Sequence, residues 1–379
     1  MSSTEGSADR SAVRAANRAL NIAEFEAGAV SLASLPRVLF VELTENCNLS
    51  CPMCRSNGPF DRTKNMSPEL FDRIARELFP TAEIVDLRGW GESTILRRFP
   101  EYLATTLDYG CTPRLVTNLT VPNEDVWRTL VRNRGFISVS LDAATQETLA
   151  VLRTGAKLQA ILDNLAIIAD EARVSGVGLD RVNLNVVVQQ QGIGELTRIV
   201  ALAAELGIAV HLNPLSTDEN DPGNLRFHLD ALRAALGDTA AFAQERGVDV
   251  RINAALDELW AEPEHAAKLC THPWMYCYVN YRGQVGFCDH LIGAPGEEYL
   301  VGDLATASFA EIWNGSNYRE LRASHRDWQD GPIARFDECN WCYRNRYVDF
   351  DEVSYPLYGR HIVPLTVASC AGFTRRPSA

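Results

Sequence analysis

Between residues 38 and 213, short apolar runs alternate with segments of helical periodicity, at about 30 residues per pair. The apolar runs fall at 38–43, 83–87, 114–117, 136–141, 181–188 and 208–212. Helical spacing is clearest at 66–79, which opens on Ser67-Pro68-Glu69, and at 158–172 and 196–206. A strand that is repeatedly followed by a helix can return only by a crossover. The expected fold is therefore α/β with a parallel sheet. Six βα units make an incomplete barrel, and in such folds ligands gather at the C-terminal ends of the strands. At roughly 150 residues per domain, 379 residues leave room for a second domain or an appendage after the barrel.

The residues at the strand ends suggest the chemistry. Ten cysteines stand at 47, 51, 54, 111, 270, 277, 288, 339, 342 and 370, with none between 112 and 269. The first ten residues are polar and lack a secretory signal, and no apolar run approaches the ~20 residues that cross a bilayer. A cytoplasmic chain off the membrane is expected, where ten thiols do not form a disulfide framework. The net charge of −13 argues against a nucleic-acid partner, which would need a basic stripe. Cys111 and Cys370 suit small core fillers. Cys47, Cys51 and Cys54 sit among polar residues directly after the first strand, with no histidine nearby. Three thiolates leave one corner of a metal or cluster open, whereas a structural zinc site is closed by four ligands.

Cys47-x3-Cys51-x2-Cys54 after an apolar strand resembles the signature of the radical S-adenosylmethionine (SAM) enzymes. The resemblance implies a partial (β/α)6 TIM-like barrel over 36–225. It also implies a [4Fe–4S] cluster on the three cysteines and SAM chelated to the fourth iron. One electron then cleaves SAM to a 5′-deoxyadenosyl radical. Met53 stands where the family often has an aromatic residue beside the adenine. Trp90-Gly91-Glu92 resembles the family's Gly-Gly-Glu loop, which would meet the SAM amino group; glycine allows close approach and a carboxylate suits an ammonium. By position, Asn118, Ser140, Arg153 and Gln189 join the expected cofactor contacts. Each of them could equally satisfy local backbone at a strand end.

Residues 266–348 resemble the short, twitch form of the SPASM domain, an auxiliary-cluster module. There Cys270, Cys288, Cys339 and Cys342 would hold a second [4Fe–4S] cluster, closed on all four corners and so an electron carrier. The thiols alone would equally suit a four-cysteine zinc ribbon. A hairpin is expected near 278–285, turning at Arg282-Gly283. Residues 1–35 read as a helix with a loose tail, 226–265 as linking helices, and 349–379 as a C-terminal tail. Cys277 is open between a core filler and a hydrogen-atom donor.

A radical source with one auxiliary acceptor suits a two-electron oxidation of a carbinol carbon to a ketone. Family members of this compact form act on aminocyclitols and sugars in antibiotic pathways. The resemblance therefore implies a dehydrogenase on such a substrate, fed by an external electron donor such as flavodoxin or ferredoxin. The alternatives are an epimerase using Cys277, a dehydratase, a decarboxylase or a ribosomal-peptide maturase. Arg88, Asp142, Gln189, His211, Asn213, Asp289 and His290 are candidates near the substrate hydroxyl, and the sequence does not choose among them.

Overall fold

The computed structural model describes residues 2–54, 58–215, 221–253, 270–288, 299–327, 339 and 362–371. They fall into two compact units, one of residues 1–48, 58–115 and 269–343, the other of 49–57, 116–268 and 344–379.

The first unit opens with helix α1 (Ser2–Glu26), then β1 (Val38–Val41), α2 (Pro68–Leu78), β2 (Ile84–Asp86), α3 (Phe99–Asp108) and β3 (Thr112–Thr117). The last two residues of β3 are counted with the second unit. Helix α2 starts where the sequence signals it: the Ser67 side chain accepts from the Leu70 amide, and Pro68 occupies the first turn. β1 is buried along its whole length because it is flanked on both sides. It pairs in parallel with β2 and with β8 (Tyr276–Val279). A hairpin continues from β8 into β9 (Gln284–Gly286), with Gly283 at φ +92° in its turn, and β10 (Gly302–Asp303) pairs antiparallel to β9. The strand order is thus β10-β9-β8-β1-β2-β3.

Cations, one half-buried and one fully buried, tie the remaining pieces to this sheet. Arg14 of α1 donates to the carbonyls of Ala82, Phe79 and Tyr109, which follow α2 and α3. Arg322 lies fully buried between the rings of Trp313 and Tyr318 and donates to the carbonyls of Pro273, Val30 and Trp313.

The second unit holds α4 (Glu124–Arg132), β4 (Phe136–Ser140), α5 (Gln146–Leu152), α6 (Leu158–Ser175), β5 (Val182–Val188), α7 (Leu196–Leu206), β6 (Ala209–Pro214), α8 (Leu229–Arg246) and β7 (Val250–Asn253). β4 to β7 are parallel, and β11 (Ile362–Pro364) adds antiparallel to β7, giving the order β4-β5-β6-β7-β11. Six βα units are present as expected, three beginning in each unit, and the fold class is α/β with a parallel sheet. Two segments hold more than the sequence suggests. Residues 226–265 contain α8 but also the strand β7, whose two buried residues, Val250 and Ile252, are too few to give a clear alternation. Residues 349–379 contain β11, which exists only because β7 offers it an edge.

Candidate functional site

In the first unit the cysteine loop begins at the end of β1, and its base is clamped before the first thiol. The Asn46 amide nitrogen donates to the Asp61 carbonyl (2.8 Å) and to Asn65 Oδ1 (2.7 Å), while its oxygen accepts from the Asp61 amide (2.8 Å). Thr44 completes the clamp, donating to Asn65 Oδ1 at 2.6 Å and accepting from the Asn46 amide. Both Asn46 and Thr44 are buried. Buried polar groups need such partners, so this local sequence fixes where the loop leaves and re-enters the fold.

The second-strand loop lies directly against that base. The Gly91 amide donates to the Thr44 carbonyl (3.2 Å) and the Glu92 amide to the Asn46 carbonyl (2.8 Å). A Cβ on Gly91 would lie 2.0 Å from the Asn46 carbonyl oxygen, so only glycine allows this approach. Glu92 is buried, and its Oε1 accepts from Thr94 Oγ1 (2.6 Å) and the Thr94 amide, capping a short 3₁₀ turn. The neighbouring Ser93 hydroxyl is buried with no hydrogen-bond partner. Arg88 is ion-paired with buried Asp86 at 2.9 Å, as is Arg114 at 3.4 Å, and its guanidinium covers the Phe40 ring. Those contacts give Arg88 a structural anchor rather than a base's surroundings.

Cys270, Cys288 and Cys339 belong to this same unit. The Cys270 sulfur lies 3.4 Å from His272 Nδ1. Cys342, Asp289 and His290 lie outside the described residues. Cys277 is fully buried on β8, opposite Leu39 of β1, and burial pushes its thiol up to about 12. It stays protonated at neutral pH. Cys111 is likewise buried, with its thiol pushed up to about 11.

The second unit carries the other half of the cysteine loop with Cys51, Met53 and Cys54. The Ser50 amide donates to the Thr154 carbonyl (3.0 Å), which ties this segment to the turn after α5. Arg153, the residue ending α5, is buried and paired with Asp142: Nη2 donates to Oδ1 at 3.0 Å, and Nε stands 2.8 Å from Oδ2. Asp142 Oδ1 also accepts from the Val187 amide at 2.8 Å, while Oδ2 is held by the ion pair with Arg153 and has no hydrogen-bond partner. Burial opposes the charge on Arg153, but Asp142, and beyond it Cys51 and Cys54, hold its pKa above the ordinary value.

Around this pair the strand ends are polar on one face only. Ser140 of β4 is level with Asn185 of β5, which is level with His211 of β6, which is level with Arg251 of β7. One step along, Asn213 donates to Asn185 Oδ1 at 2.7 Å, and Asn253 reaches Asn213 Oδ1 at 3.5 Å. The alternate residues, among them Leu184, Val186, Leu212 and Ile252, are buried and apolar. Gln189, at the end of β5, is buried with its side-chain nitrogen lacking a hydrogen-bond partner, and so is the Asn183 side-chain oxygen. Asn118 holds the turn after β3 by accepting from the Thr120 amide and hydroxyl. The next residue, Leu119, has φ 53°, a strained conformation for a branched side chain that Asn164 holds by donating to its carbonyl.

Among the described residues, no three His, Cys, Asp or Glu side chains converge on a metal-ion geometry. The surroundings nonetheless fit the expected groups. In the first unit the loop carrying Cys47 is fixed at its base, a glycine-only approach borders it, and Ser93 presents an unsatisfied buried hydroxyl; in the second, the buried Arg153 cation interacts electrostatically with Cys51 and Cys54, and Gln189 presents an unsatisfied buried nitrogen. Sequence reasoning missed the Thr44–Asn46–Asp61–Asn65 clamp and Ser93. Only the Thr-x-Asn immediately before Cys47 hinted at the clamp.

Residues 41–186 match the radical SAM superfamily and residues 270–343 match an iron–sulfur cluster-binding domain, SPASM. The mycofactocin maturase MftC of Mycolicibacterium smegmatis is 24% identical over 84% of this chain and 79% of its own length. An AdoMet-dependent heme synthase of Methanosarcina barkeri is 26% identical over 77% of this chain and 86% of its own. Among solved structures, Streptococcus suis SuiB bound to precursor peptide SuiA superposes with a TM-score of 0.59 at 14% identity, covering 80% of this chain and 70% of SuiB. AnSMEcpe with bound AdoMet gives 0.57 at 15% identity, covering 89% of this chain and 96% of its own. At those identities the two structures establish the fold.

Proposed function

Because this chain is a radical SAM enzyme with a C-terminal SPASM domain, we propose that it oxidises a carbinol carbon of a small hydroxyl-rich substrate, of the aminocyclitol or sugar type, to a ketone. A radical SAM domain binds a [4Fe–4S] cluster together with SAM, and a SPASM domain binds auxiliary iron–sulfur clusters. In this reading Cys47, Cys51 and Cys54 hold the first cluster, and Cys270, Cys288, Cys339 and Cys342 hold the second. When bound, these groups supply a radical that removes one hydrogen from the carbinol carbon and an acceptor for the electron left behind. The chain's own residues do the rest. The Gly91–Glu92 backbone and carboxyl, Asn118, Ser140, Arg153 and Gln189 orient SAM, with Met53 beside its adenine.

The observation that carries the substrate class is the face built by Ser140, Asn185, His211 and Asn213. Its groups are mostly neutral, and each can both donate and accept hydrogen bonds, which matches hydroxyls rather than an apolar or carboxylate ligand. The hydroxyl proton needs a base. Asp142 is committed to Arg153 and Val187, and Arg88 to Asp86, which leaves His211 on that face as the best placed. Replacing it, as His211→Ala, should slow turnover by about 10²-fold, the usual scale of general-base help. The complete burial of Cys277 in the strand core supports oxidation over epimerisation, which would need a donor in contact with substrate.

A second reading, peptide maturation, is favoured by the names of similar proteins, a mycofactocin maturase and SuiB with its precursor peptide. An asparagine face would serve backbone amides as well as hydroxyls. The test is to incubate the reconstituted enzyme with candidate aminocyclitols and with precursor peptides and to weigh the products. Loss of two hydrogens from a cyclitol supports the first reading. A modified peptide with untouched cyclitols overturns it. Unchanged mass with inverted stereochemistry would point to epimerisation.

A further inference from the structure

The end of β1 carries one residue that the chemistry above does not use. Glu42 follows four apolar strand residues and is buried, 1% exposed. Its Oε1 accepts from the Trp90 amide at 3.0 Å, and its Oε2 accepts from the Tyr278 hydroxyl at 2.8 Å. Its own amide donates to the Val279 carbonyl at 2.9 Å. Gly89 is pressed onto it: a Cβ there would lie 2.5 Å from Glu42 Cγ. One carboxyl therefore touches the second-strand loop on one side and the SPASM strand β8 on the other.

We infer that Glu42 is a positioning residue that fixes the Trp90–Gly91–Glu92 loop to β8, so that the loop's hold on SAM depends on the SPASM strand. The inference rests on the reading that this loop receives SAM. The physical case is one of cost. A buried carboxyl is expensive unless its partners compensate, and an apolar residue would continue the strand without that cost. Desolvation, with the charge of Glu45 adding to it, raises this carboxyl to about 7 despite the bonds from Trp90 and Tyr278 that oppose the rise. A group kept at such expense between two functional segments is better explained by what it holds than by stability. The side chain joins segments far apart in sequence: the loop begins 48 residues after Glu42, and Tyr278 stands 236 residues after it.

The test uses the full chain with its clusters reconstituted and reads SAM affinity by equilibrium dialysis. Glu42→Met keeps the chain length but removes both acceptors, and it should weaken SAM binding about tenfold. Glu42→Gln, which keeps an acceptor for the Trp90 amide, should restore most of that loss. Tyr278→Phe should weaken binding about threefold, although it stands on the SPASM strand. Combined with Glu42→Met it should add almost nothing, because both act through one link. Wild-type affinity in Glu42→Met and Tyr278→Phe overturns the inference, as does full additivity in the double variant. Glu92→Gln, in the same assay, tests the premise. If it too binds SAM normally, the loop reading fails and takes the inference with it. If it loses SAM while the Glu42 and Tyr278 variants do not, only the Glu42 link is overturned.

Discussion

Arg153 and Asp142 show how a single pair can serve both structure and site. Removing the carboxylate would leave a buried guanidinium with no counter-charge, which typically costs about 3–5 kcal/mol. Asp142→Ala should therefore lower the melting temperature sharply, whereas Asp142→Asn, which keeps the Val187 bond, should lower it less. Equal melting curves for the two variants would mean that the pair contributes little. Glu42 makes a pH-dependent prediction at the same scale. Its pKa in the folded chain is raised to about 7, so folding favours the protonated carboxyl. That contribution is complete below the ordinary glutamate pKa of about 4.3 and is lost as pH climbs through the folded value. Glu42→Gln cannot ionise, so its thermal stability relative to the parent should improve between about pH 5 and pH 8. A difference that stays flat over that range would contradict the assignment.

The decisive element is the cysteine loop with its two supports. Asn46 and Thr44 close its base, and the Gly91 backbone lies against it. Asn46→Ala removes four hydrogen bonds from a buried site and should cost about 1–3 kcal/mol. Its sharper effect should be on iron. Reconstitution should load the SPASM cluster normally but the SAM cluster poorly, which iron analysis combined with SAM cleavage would show. Gly91→Ala should have the same signature, because the added methyl collides with main chain that cannot move aside. The strands were legible in the sequence because alternation and β-branched runs are local signals, and all six came out within two residues of their observed bounds. β7 and β11 were not legible, because each is short and forms only against a neighbour distant in sequence.

At the scale of the whole molecule, the seven cysteines proposed as ligands predict about eight irons per chain after anaerobic reconstitution. Cys270→Ala should bring this to about four while SAM cleavage persists without substrate turnover. A parent protein with about four irons plus zinc would instead make the C-terminal cysteines a zinc ribbon. No helix among the described residues is long and apolar enough to cross a membrane.

The βα alternation was enough to give a parallel α/β fold, and the spacing of Cys47, Cys51 and Cys54 after an apolar strand carried the family resemblance that implies the cofactors. Both are short-range patterns, one in the hydrophobic period and one in thiol spacing. What surrounds the thiols was decided by tertiary structure. Asn46 reaches Asp61, Glu42 reaches Trp90 and Tyr278, and Arg153 turns to Asp142 because the fold sets these residues side by side. A buried polar side chain takes the partner that the fold sets beside it, and sequence separation carries no information about which partner that is.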